Sequence, residues 1–106
     1  MRRGEIYVAD LPEPAGRRPV LLVTRTAAIA VRTSVTVAPI TRTRRDISSE
    51  VPLDRRHGVR ERSVANCDSL MTIRKDSLRK RRVGALDVGT LVALDQALRF
   101  ALDIRA

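Results

Sequence analysis

The run Pro19 to Thr24 is a continuous, mainly apolar stretch of strand length, and it commits the chain to a sheet. Val20-Leu21-Leu22-Val23 has no polar alternation, so it reads as a strand buried on both faces. Arg18 stands at its mouth, behind a loop carrying Pro12, Pro14 and Gly16. Pro19 fixes its own φ and biases Arg18 toward extended geometry, which aims the guanidinium at the place where the strand begins. A permanently charged fork held this way is a good phosphate ligand.

The neighbouring segments support the same architecture. Glu5 to Leu11 places Ile6, Val8 and Leu11 at candidate core positions, and Ser34 to Ile40 carries Val35, Val37 and Ile40. Pro39 suggests a sheet edge or a strand end. Glu50 to Leu53 and Ser63 to Cys67 read as short strands, Thr72-Ile73 as the start of a connection, and Arg81 to Leu86 as the last strand. Leu91, Leu94, Leu98 and Leu102 recur at helical spacing behind Asp87, a helix cap, with Val88 and Phe100 widening the stripe. Several short strands closed by one helix predict a mainly β fold with some α, a small β-barrel that shuts its own edges.

The 106 residues suffice for one domain, spanning 1–106. Apolar content of 43% supports a core, but only Tyr7 and Phe100 are aromatic, so that core is aliphatic. The formal net charge is +9, and of 21 basic residues only Lys75 and Lys80 are lysines. Such an excess favours a polyanionic partner, nucleic acid first. Basic residues cluster at strand ends: Arg42, Arg44 and Arg45; then Arg55, Arg56, Arg60 and Arg62; then Arg74 to Arg82. With one cysteine, Cys67, and one histidine, His57, a disulfide framework, a Cys/His metal site and paired-histidine RNA cleavage are not expected. No apolar run approaches the roughly 18 residues of a membrane span, and no signal-peptide pattern follows Met1, so a cytoplasmic protein is expected.

What remains is arginine, hydroxyl and carboxylate chemistry. Arg18 precedes the second strand and Thr41 ends the third, in Val37-Ala38-Pro39-Ile40-Thr41-Arg42. If those strands are neighbours, a guanidinium and a hydroxyl converge on one phosphodiester. RNA supplies its own nucleophile, the 2′-hydroxyl, so the protein need only orient it and stabilise charge on phosphorus.

Arg3-Gly4-Glu5-Ile6-Tyr7, Asp10-Leu11, Arg17-Arg18-Pro19-Val20-Leu21-Leu22-Val23, Val35 to Thr41, Ser63 to Asp68 with Thr72-Ile73, and Leu94 to Leu98 together resemble the MazF/PemK family of toxin endoribonucleases, collinearly over nearly the whole chain. The resemblance implies an SH3-like barrel with a C-terminal helix and a homodimer. It also implies sequence-selective, metal-independent cleavage of single-stranded mRNA without a cofactor, leaving 2′,3′-cyclic phosphate and 5′-hydroxyl ends. Arg18 and Thr41 align with the family's catalytic pair. Arg17, Thr24, Arg25, Arg42, Arg44, Asn66 and Asp68 are the expected RNA contacts, and an antitoxin with an acidic disordered tail is the expected protein partner. Alternatives are a poison of DNA gyrase on the same fold, or a non-catalytic RNA-binding module. The chain departs from the family in its short Pro12–Arg17 loop. Asn66-Cys67-Asp68 replaces an Arg-x-Asp motif, and Met71 stands where a basic side chain is frequent, so a different base preference is expected. Asn66 and Asp68 either read base edges or cap a turn.

Overall fold

The structure, a computed structural model, describes residues 1–105. Seven strands, β1 (Glu5–Asp10), β2 (Arg17–Leu22), β3 (Ser34–Thr41), β4 (Glu50–Leu53), β5 (Ser63–Asn66), β6 (Met71–Arg74) and β7 (Gly84–Ala85), are joined by two α-helices, α1 (Thr26–Val31) and α2 (Val88–Ala101). All strand pairings are antiparallel, in the order β4-β5-β3-β2-β1-β7, with β6 beside β3. β3 changes partner along its length: Ser34 to Val37 pair with β6, then Ile40 and Thr41 pair with β5. The sheet curls into a half-barrel at that changeover.

The sheet is packed on both faces, as the unbroken run in β2 requires. Ile6, Leu21, Ala38, Ile40 and Val51 form one core with Leu94 and Ala97 of α2. Tyr7, Val20, Leu22, Val35 and Val37 form the other, with Ile29 of α1. Neighbouring residues of β2 thus go to opposite cores, following the period-2 alternation of a strand. Val20, Leu21 and Leu22 are fully buried.

Pro39 is neither at an edge nor at a strand end; it is buried inside β3, paired with Val20 of β2. The Thr36 N–H and C=O both face the β2 side, bonding Thr24 Oγ1 and the Val23 N–H. Alternation therefore turns the ring nitrogen of Pro39 to the opposite side, into the gap between the β6 and β5 pairings. No partner strand asks for its missing donor there.

Three further expectations change. Thr72-Ile73 lies within β6, and α1 is a short helix that no strong periodicity announces. The last strand shrinks to Gly84-Ala85, although Arg79 and Val83 still donate backbone hydrogen bonds to Val8 and Ile6 of β1. In α2, Asp87 caps as predicted, its carboxylate accepting the Thr90 N–H at 2.7 Å. Val88 (80% exposed) and Phe100 (62%) do not join the buried stripe; they lie on the outer side of α2, while Leu91, Leu94, Ala97 and Leu98 face the sheet. No helix is long and apolar enough to cross a membrane among the described residues.

Candidate active site

Arg18 and Thr41 are brought together by strand register. β2 and β3 pair Leu22 with Val37, Leu21 with Ala38 and Val20 with Pro39. Continuing that register by two positions sets Arg18 opposite Thr41, on the sheet face that Val20 and Val37 share. β3 bends away at this point to join β5, so the two residues flank the mouth of an opening rather than a closed ladder.

Two grooves meet there. The larger, of about 760 Å³, is walled by Val8, Pro19, Arg42, Arg60, Glu61 and Val83. The smaller, of about 320 Å³, is lined by Ala15, Pro39, Arg45, Asn66, Ser69 and Met71. Arg18, Thr41 and Thr43 belong to both and form the saddle between them.

The saddle is prepared for an anion. Thr43 donates its backbone N–H to Thr41 Oγ1 at 3.2 Å. That contact occupies a lone pair and leaves the hydroxyl proton of Thr41 available to donate outward. Arg18 is half-buried, and among the described residues no carboxylate lies within ion-pair reach of it, of Arg45 or of Arg60. Two neighbours are compensated instead. Arg17 bonds Asp10 at 3.3 Å, and Arg42 bonds Glu61 at 3.0 Å across the larger groove. Asp10 is also held by Arg79, and these two guanidinium partners, Arg79 foremost, keep its carboxyl below the usual carboxylate range.

The remaining expected contacts divide by place. Arg17 and Arg42 line the larger groove, and Asn66 lines the smaller. Thr24 and Arg25 do not reach the saddle: they follow the opposite end of β2, where a separate groove runs past Arg32, Ser34 and Leu98. Thr24 Oγ1 there accepts the Thr36 N–H at 2.7 Å, and the Arg25 carbonyl accepts the N–H groups of Ala28 and Ile29, opening α1. Arg44 is exposed in the β3–β4 loop and lines neither saddle groove. Asp68 is outside both as well, its carboxylate accepting the Ser49 hydroxyl. Asn66 does cap a turn: its Oδ1 accepts the Asp68 N–H at 2.9 Å.

Arg45, Arg60, Thr43 and Ser69 were not singled out from sequence as site residues, yet all four line the grooves. They sit in loops, where no periodicity marks the side that faces a cleft. His57 supports the wall of the larger groove, which Gly58 and Val59 line. Cys67 takes no part: it is 2% exposed, and burial together with the Asp68 charge pushes its thiol up to about 11, so it stays an unreactive core side chain.

Comparison with known proteins identifies the family and the fold. The sequence model for the PemK-like, MazF-like toxin of type II toxin-antitoxin systems matches residues 2–102. The chain is 39% identical over 99 residues to Endoribonuclease MazF3 of Mycobacterium tuberculosis, covering 93% of this chain and 92% of that protein. It is 37% identical over 100 residues to the probable endoribonuclease MazF2 of the same organism, covering 93% and 95%. Among solved structures, the Mycobacterium tuberculosis toxin MazF-mt6 superposes with a TM-score of 0.88 at 38% identity, over 96% of this chain and 99% of that one. An endoribonuclease from a mycobacterial species, solved in complex with its cognate antitoxin, also gives 0.88, at 28% identity over 100% and 98%. With the family match running through every strand and through α2, the chain belongs to the PemK-like, MazF-like toxins of type II toxin-antitoxin systems.

Proposed function

We propose that this chain is the toxin of such a pair, an endoribonuclease that cuts single-stranded mRNA at a defined sequence and so arrests translation and growth. The observation that carries this reading is the saddle: one uncompensated guanidinium and one outward-donating hydroxyl, shared by two grooves that continue on either side. A strand laid through both grooves crosses Arg18 and Thr41 at a phosphate.

The reaction follows from that placement. The substrate's 2′-oxygen loses its proton to solvent as it bonds to phosphorus. Negative charge builds on the non-bridging oxygens, where Arg18 and the Thr41 hydroxyl donate hydrogen bonds. The bond to the 5′-oxygen then breaks while Arg18 donates a hydrogen bond to it, and that oxygen leaves as an alcohol on taking back from solvent the proton that the 2′-hydroxyl released. The products are a 2′,3′-cyclic phosphate and a 5′-hydroxyl end. Arg18 and Thr41 are the catalytic residues in this scheme, which routes no step through a metal or cofactor. The protein works as a homodimer in the cytoplasm, and an antitoxin with an acidic, disordered tail neutralises the basic groove.

Primer extension on a long RNA incubated with the purified protein tests the reading. Discrete stops at a recurring sequence are expected, unchanged by chelator. Arg18→Ala and Thr41→Ala should each lower single-turnover cleavage roughly 10²–10³-fold, the usual loss for one transition-state donor. RNA that binds but is never cut would establish the binding-module alternative. Normal cleavage by both variants would remove the catalytic assignment.

A further inference from the structure

We infer that the smaller groove is the base-reading pocket for a nucleotide next to the scissile phosphate, and that it selects keto bases, guanine or uracil, over adenine and cytosine. This rests on the endoribonuclease reading above and adds what that reading leaves open, the chemistry that recognises sequence.

The pocket shares Arg18, Thr41 and Thr43 with the saddle, so a nucleotide whose phosphate lies on Arg18 has its base within reach of the pocket. Its apolar surface comes from Ala15, Pro39 and Met71. A flat base packs against such a surface, and a polarizable thioether makes favourable contacts with aromatic rings. This matters in a chain whose only aromatic side chains are Tyr7, which is buried, and Phe100, which lies on the outer side of α2. Met71 thus does the work that a stacking ring does in other single-strand binders.

The polar groups around that surface are almost all donors. The Asn66 amide is oriented without ambiguity, because its Oδ1 accepts a backbone N–H from Asp68 and its Nδ2 must therefore be the group facing Ser69 Oγ, at 3.1 Å. Ser69 Oγ accepts that bond, which leaves the Ser69 hydroxyl proton to donate. Arg45 and Arg18 bring guanidinium forks with no carboxylate partner among the described residues. None of the groove's lining residues is a carboxylate: Asp68 is turned to Ser49, and Glu50 accepts the Arg45 backbone N–H from beneath the loop. A donor-rich rim matches the edge on which guanine presents O6 beside N7 and uracil presents O4. It leaves the exocyclic amines of adenine and cytosine facing other donors. The larger groove differs, because it contains the Glu61 carboxylate.

The experiment is cleavage of a random-sequence RNA pool by the purified protein, with sequencing of the new ends. One position adjacent to the cut, always on the same side, should favour guanine or uracil by roughly tenfold over adenine and cytosine. The counts themselves show which of the two keto bases is preferred. Ser69→Ala and Arg45→Ala should each flatten the preference at that position and leave preferences at other positions intact. The readout is a ratio within one pool, so a lower overall rate does not obscure it. A preference for adenine or cytosine there, or variants that leave the profile unchanged, would overturn the pocket assignment while leaving the nuclease standing. A pool that is not cut at all would instead remove the nuclease reading, and the inference with it.

Discussion

His57 joins three parts of the chain through one imidazole that is 1% exposed. Its Nδ1 accepts the Asp54 N–H at 3.1 Å, and its Nε2 faces Thr90 Oγ1 at 3.0 Å. The backbone donor at Nδ1 requires the Nε2–H tautomer, so donation runs from Asp54 through His57 to Thr90, whose hydroxyl continues to Asp87 at 2.7 Å. Removing the ring leaves the Asp54 N–H without its acceptor, takes from Thr90 Oγ1 the donor it accepts, and opens a cavity under the groove wall. His57→Ala should therefore lower the unfolding free energy by roughly 2–4 kcal/mol, measured by denaturant titration. A change within about 0.5 kcal/mol, the scatter of surface substitutions, would show that the network is incidental. None of this was readable in the sequence, where His57 stands in a polar stretch beside Gly58. Its partner Thr90 lies 33 residues along the chain. Arg18 and Thr41 were readable because each is tied to a strand boundary that proline and β-branched neighbours mark locally. Ser69 and Arg45 were not, since their importance depends on which loops meet over Met71.

The elements show the same division between local and distant causes. β2 and β3 announce themselves through their Val, Leu and Ile content, β4 and β5 as brief apolar stretches between polar loops, and α2 through its leucine spacing and Asp87. α1 is short, its N-cap position, Arg25, makes no side-chain capping bond, and Ile29 and Val31 give it no clear helical bias. β6 alternates Met71 and Ile73 inward with Thr72 and Arg74 outward, too briefly to outweigh its charged flanks. β7 is fixed by a contact that no local pattern contains. Gly84 lies against the His57 carbonyl and Gly58, where a Cβ would collide with backbone on both. Gly58 in turn adopts φ +94° and abuts Val83. This glycine contact brings the two ends of the sheet together, the β4–β5 connection against β7. Gly84→Ala should cost about 3 kcal/mol, because neither β7 nor the β4–β5 connection can yield without breaking the closure. Gly89, in the first turn of α2, is the control: a Cβ there meets only Asp87 Oδ1, at 3.7 Å. Gly89→Ala should stabilise the fold by about 0.5 kcal/mol, at the low end of the helix-interior value because the position is in the first turn. Denaturant unfolding of the two variants side by side checks the closure, and equal effects of one sign would contradict it.

The net charge of +9 signals an anionic partner, but the structure narrows which charges act on it. Arg17, Arg42, Arg56, Arg74, Arg79 and Arg82 are each engaged with a carboxylate, so much of the basic surface is locally neutralised. Around the saddle, Arg18, Arg45 and Arg60 remain without such a partner among the described residues. These are the groups that can replace counterions on an RNA backbone without first giving up an ion pair. For single-stranded RNA each neutralised phosphate contributes about 0.7 to the salt dependence, so three predict a slope near −2 in log binding constant against log salt. The measurement is fluorescence anisotropy over roughly 50–200 mM salt, using an RNA with a 2′-deoxy sugar at the cut so that binding is read without cleavage. Arg45→Ala and Arg60→Ala should each reduce the slope by about 0.7. Arg17→Ala should change it little, because that guanidinium already faces Asp10. If Arg17→Ala lowers the slope as much as Arg45→Ala does, the paired arginines also open onto phosphate, and the ion pairs at the groove rim are exchanged for RNA during binding.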